Sequence, residues 1–151
     1  YLAKWNEVYA NLKKFKLLSE NNSNIVVQIC ITMNILNVWH YYDYVKKFKE
    51  MGYNYYVNIL HYGEHYCLQT LLESAKDKVK QKYQSIIETE DNLTEYDIEN
   101  LNRILQFMFG KISTKKLWDE FLTETKRADE YRSEKFEEVY PEFSKVIGYT
   151  T

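Results

Sequence analysis

The chain has 151 residues, of which 45% are hydrophobic and 28% charged, with a net charge of −2. That composition supplies a domain-sized core and excludes a disordered chain, while four Gly and one Pro exclude collagen-like or low-complexity architecture. No run approaches the roughly 18–20 apolar residues of a membrane span, and neither half has the dense basic stripe of a nucleic-acid binder, so neither partner is expected.

The charge is uneven: residues 1–60 carry seven Lys against four acids, whereas the remainder carries thirteen Lys or Arg against eighteen acids. The first residue is Tyr1 rather than methionine, and periodicity begins at once, so the start is expected to be either an artificial boundary or a truncation. No basic stretch leads into an apolar one as in a secretion signal. Two cysteines, Cys30 and Cys67, are too few for a disulfide framework. A reducing, cytoplasmic setting is the expectation.

In chain order, Trp5, Val8, Tyr9, Leu12 and Phe15 recur at helical spacing and predict a helix over 2–18. Asn21 to Asn24 read as a turn. Ile25 to Met33 is an almost continuous β-branched apolar run, which predicts a strand covered on both faces, as in a parallel sheet. Asn37 is placed to cap a helix over 38–51 that ends at Gly52. Tyr53 to Leu60 then predicts a second strand. Helix, strand, helix, strand is the α/β pattern, with a right-handed crossover between parallel strands. Two strands cannot close a sheet, so residues 1–62 read as part of a barrel-like α/β architecture within a single domain. The exposed sheet edge of such a piece invites self-association.

Residues 63–151 read as a helical extension. Leu71, Leu72, Ala75, Val79, Tyr83 and Ile86 predict a helix over 69–87. Thr94 and Asp97 form a capping-box pattern opening a helix through Phe109 before Gly110. Leu117, Phe121, Leu122 and Tyr131 mark a further helix from Thr114 to Ser133. A short helix or turn near 136–140 is expected to stop before Pro141.

Three groups of residues carry possible chemistry. His61-Tyr62-Gly63-Glu64-His65 matches H-x-x-E-H, in which two histidines one helical turn apart bind zinc and the glutamate serves as general base. Glu138 or Glu142 could supply a third ligand. The string follows a strand directly and contains Gly63, so an ordinary surface or core histidine pair is favoured over a zinc hydrolase. Cys30 lies within a strand and reads as a small hydrophobe; Cys67 has no base placed beside it. Thr32, Asn34 and Asn37 cluster at the end of the first strand, and Asn58 with His61 at the end of the second, where α/β folds bind ligands. Turn formation is the competing account of the asparagines.

Four segments together resemble the C-terminal half of radical S-adenosylmethionine proteins of the SPASM and twitch-domain group. Trp5, Val8 and Asn11 are similar to a W-x-x-V-x-x-N segment, and Val26 to Asn37 resembles a barrel strand running into a T-x-x-x-x-N turn. Leu60-His61-Tyr62 through Leu71, Leu72 and Lys76 resembles a post-strand loop, with Tyr62-Gly63 where the family usually has proline. Asp129, Arg132 and Phe136, followed by Tyr140-Pro141-Glu142-Phe143, resemble a closing D-x-x-R-x-x-x-F and P-E signature. The resemblance implies a partial (β/α) barrel in which these are late strands. It also implies an intact protein that cleaves S-adenosylmethionine reductively, with Thr32, Asn34 and Asn58 facing the nucleoside. The family's C-x-x-x-C-x-x-C run, which holds a [4Fe–4S] cluster, does not occur in these 151 residues. The chain by itself is therefore expected to hold no cofactor and to be inactive, with the cluster belonging to a missing N-terminal half. The alternative is a stand-alone α/β module that binds a protein partner.

Overall fold

The computed structural model describes residues 4–110 and 114–149. Its two strands, β1 (Gln28–Met33) and β2 (Asn54–Ile59), pair in parallel as a two-stranded sheet. Side chains alternate in exposure along both: Ile31 and Met33, and Tyr55, Val57 and Ile59, are buried, whereas Gln28, Cys30 and Thr32, and Asn54, Tyr56 and Asn58, are exposed. The expectation of a first strand covered on both faces is therefore corrected. Within the paired residues the sequence QICITM alternates with period two, and cysteine at an outward position disguised this as a continuous apolar run. Ile25 and Val26 precede the strand and are exposed.

The chain divides into two compact units, one of residues 1–31 with 40–58 and the other of 32–39 with 59–151. The first contains α1 (Trp5–Glu20) and α2 (Tyr41–Glu50) together with most of both strands. Tyr41, Tyr42 and Val45 of α2, Tyr53, and Ile31, Tyr55 and Val57 of the strands supply its buried apolar side chains. At about 1.5–3 kcal/mol for each fully buried large apolar side chain, such a set is its main source of stability. By contrast, α1 buries no residue, and its expected start at residue 2 lies outside the described residues. Polar links hold it instead: Lys16 Nζ donates to the Gly52 carbonyl at 2.7 Å, and the Tyr53 hydroxyl donates to the Leu12 carbonyl. Gly52, at φ +73°, makes the left-handed turn between α2 and β2.

The second unit is helical: α3 (Glu73–Thr89), α4 (Glu95–Phe109), α5 (Lys115–Arg132), α6 (Phe136–Val139) and α7 (Pro141–Ile147), with 3₁₀ turns at Glu64–Tyr66 and Leu68–Thr70. Leu68, Leu71, Val79, Leu101, Ile104, Met108, Phe121 and Phe143 form its buried apolar centre. Helix α4 opens as its sequence demands, with Thr94 and Asp97 making both halves of a capping box. Helix α6 ends at Val139, before Pro141 as expected, and Pro141 then begins α7 at its first position, where a missing N–H costs nothing. Tyr131, counted in the apolar pattern of α5, is 86% exposed; Trp118, Phe121 and Thr125 are the buried positions of that helix.

The segment 32–39 is tied to this unit by side-chain bonds to its backbone. The buried Tyr83 hydroxyl donates to the Val38 carbonyl at 2.7 Å. Lys82 Nζ donates to the Trp39 carbonyl at 2.7 Å and lies 4.5 Å from that residue's ring centroid, a cation–π geometry. The Trp39 indole N–H in turn reaches Glu142 at 3.1 Å.

Candidate functional site

In the first unit the uncovered face of the strand pair presents Gln28 and Cys30 from β1 and Asn54, Tyr56 and Asn58 from β2. The three carboxamides each offer donors and an acceptor without charge, so the face is suited to recognition of polar groups rather than to proton transfer. Tyr56 is hydrogen-bonded to Cys30, and that bond, more than the small desolvation of the phenol, raises the Tyr56 pKa above its ordinary 10.0. Alternation in YNYYVNIL could have marked Tyr56 as outward-facing; the dense aromatic content obscured it.

In the second unit the turn after β1 is closed by its own asparagines. The Asn34 N–H donates to Asn37 Oδ1 and the Leu36 N–H to Asn34 Oδ1, both at 2.9 Å. The Asn34 and Asn37 amides both donate to the Thr32 carbonyl, at 3.3 and 2.9 Å. Thr32, Asn34 and Asn37 are thus brought together, and Asn58 belongs to the other unit. Asn37 does not cap the following helix, as its position suggested. Its oxygen bonds backwards to Asn34, a 3₁₀ turn intervenes at Val38–His40, and His40 stands at the N-cap of α2 without a side-chain bond.

The H-x-x-E-H string does not adopt the arrangement its chemistry needs. Gly63 is left-handed at φ +71°, and Glu64 to Tyr66 form a 3₁₀ turn instead of part of an α-helix. The His61 ring packs edge-on against Phe107 at 4.8 Å, while His65 Nδ1 lies 3.3 Å from Glu120. The two histidines thus engage α4 and α5 separately. Among the described residues no three His, Cys, Asp or Glu side chains gather as a metal site. Cys67 is buried, with its thiol donating to the Leu60 carbonyl at 3.3 Å.

Cavities among the described residues accompany these features. One of about 450 Å³ in the first unit is lined by Tyr9 and Tyr53 together with Lys13, Lys16, Lys47 and Glu50. An open cleft of about 550 Å³ and a smaller cavity of about 180 Å³ lie along the last turns of α5 in the second. Among the described residues no helix is long and apolar enough to cross a membrane. No family model matches the chain, and neither the curated proteins nor the solved structures contain a match.

Proposed function

We propose that this chain is the C-terminal part of a radical S-adenosylmethionine enzyme of the SPASM and twitch-domain group, supplying two late barrel strands and the helices after them. The observation that carries this reading is the one-sided burial of β1 and β2. Parallel strands occur almost only with both faces covered. In this pair the covered face is apolar and the open one polar, as suits strands of a barrel wide or open enough to enclose a ligand space. Among the described residues each strand pairs only with the other. Helix α1 leaves Trp5, Phe15 and Leu18 about half exposed, an apolar surface that the rest of a barrel would cover.

The resemblance gives Thr32, Asn34 and Asn58 to the nucleoside of S-adenosylmethionine. Thr32 and Asn58 are exposed; the carboxamide of Asn34 is already engaged within its turn, so the first two carry this assignment. The cysteines do not fit the iron–sulfur cluster. Cys30 is exposed in one unit, Cys67 is buried in the other, and no third thiolate exists in the sequence. No radical step is therefore assigned to residues of this chain, which is inactive alone in this reading.

The exposed stripe on α1 also favours a second reading, a module that binds a protein partner through that helix. The test is to express the complete coding sequence ending in this chain, reconstitute it anaerobically with iron and sulfide, and assay reductive cleavage of S-adenosylmethionine. The first reading expects 5′-deoxyadenosine from the longer protein, none from this chain alone, and a raised KM for S-adenosylmethionine in Asn58→Ala. A longer protein that forms no cluster and releases no 5′-deoxyadenosine would overturn it.

A further inference from the structure

The closing signature Asp129, Arg132 and Phe136 converges on the cavity of about 180 Å³ in the second unit. Two of these residues have evident structural roles. Asp129 Oδ2 accepts the Phe136 N–H at 2.9 Å, and its carbonyl accepts the Glu134 N–H at 3.1 Å, where left-handed Ser133 ends α5. Phe136 is buried with its ring 4.8 Å from that of Tyr149 and 5.2 Å from that of Tyr140. Arg132 has no such role: its guanidinium makes no hydrogen bond or ion pair among the described residues, and it borders both this cavity and the adjoining open cleft.

A second, independent observation comes from Thr125, which also lines the cavity. It is 5% exposed, and its hydroxyl has no hydrogen-bond partner. A buried hydroxyl left without a partner is unfavourable, and a ligand in the cavity would relieve this. The charges on the wall restrict what that ligand can be. An anion alone would meet Arg132 but also Asp129 and Glu134; a cation alone would meet the two carboxylates but also Arg132. Leu36, Ala128, Phe136 and Val139 add apolar surface, and Tyr66 and Tyr140 complete the lining. The volume is below the roughly 300–1,000 Å³ of pockets for drug-sized ligands and equals the share of about six waters.

We propose that this cavity binds a small zwitterion of the α-amino-acid class, its carboxylate held by Arg132 and the Thr125 hydroxyl, its ammonium by Asp129 and Glu134, and its apolar side chain against Leu36, Phe136 and Val139. The cavity lies wholly within the second unit, so the proposal does not depend on the barrel reading.

The test is an amide NMR titration of the whole chain with L-leucine, with 3-methylbutylamine, which lacks the carboxylate, and with 4-methylpentanoate, which lacks the ammonium. The proposal expects saturable shifts at α5 residues with L-leucine and binding at least tenfold weaker, on the order of one lost charged hydrogen bond, for each analogue. Arg132→Gln, at an exposed position, and Thr125→Val, which keeps the shape, should each weaken L-leucine by about tenfold, and Thr125→Ser should retain it. No saturable shift at millimolar L-leucine would mean that the cavity holds water only and would overturn the proposal. So would equal affinity for all three compounds, or binding unchanged in both Arg132→Gln and Thr125→Val.

Discussion

Tyr56 and Cys30 are hydrogen-bonded to each other on the uncovered face of the strand pair, one from each strand, and the bond keeps the phenol protonated beyond its ordinary range. Cys30→Ala removes the sulfur acceptor, so the Tyr56 pKa should fall back toward 10.0, measurable by following its ring carbon in a pH-dependent NMR series. The sign for stability follows from the raised value. Whatever the pair contributes is fully present below the unfolded phenol's pKa of about 10 and is lost as pH rises through the higher folded one. An unchanged Tyr56 titration in the variant would separate the two residues.

Helix α1 depends on two polar links, and that dependence can be measured. Tyr53→Phe deletes the donor to the Leu12 carbonyl and should cost about 1 kcal/mol. Lys16→Met deletes the donor to Gly52. Both changes should speed amide exchange in α1 more than in α3 or α4, because α1 has no buried side chain to fall back on. Equal acceleration in all helices would contradict the account.

The Tyr83 hydroxyl is fully buried and bonds the Val38 carbonyl. Tyr83→Phe leaves that carbonyl without this donor and should destabilise the chain by about 1–3 kcal/mol in urea unfolding. Thr94→Ala, which breaks the capping box of α4, should cost about 1 kcal/mol. A larger effect at Thr94 than at Tyr83 would mean that the segment 32–39 is not anchored through α3.

The exposed stripe on α1 predicts association. Replacing Trp5, Phe15 and Leu18 together by serine should reduce concentration-dependent self-association in sedimentation experiments, since these side chains stand about half exposed on one short helix. Association that persists undiminished would shift attention to the edges of β1 and β2 that pair with no other strand among the described residues.

Local chemistry was the most legible part of the sequence. Thr94 and Asp97 announce α4 because a capping box needs only residues three apart, and Gly52 announces the turn before β2 because few other residues adopt its backbone. The period of β1 was present in Gln28, Cys30 and Thr32 but hidden by a cysteine that counts as apolar and stands exposed. Pro141 marks both the end of one helix and the start of the next, and only the first was read from the sequence. The bonds of Asn37 run backwards along the chain, against the direction of a cap. Arg132 belonged to a visible motif, whereas Thr125 gave no signal at all: an unpartnered hydroxyl is a property of packing around a helix, not of the helix's own sequence.

The most direct test of the barrel reading is the coding sequence immediately upstream of Tyr1. An in-frame C-x-x-x-C-x-x-C, with further strand and helix repeats before α1, is the predicted result, because it supplies both the cluster ligands and the cover for the open strand edges. A stop codon followed by a start codon directly before Tyr1 would contradict it, and the polar face of β1 and β2 would then belong to a free-standing binding module.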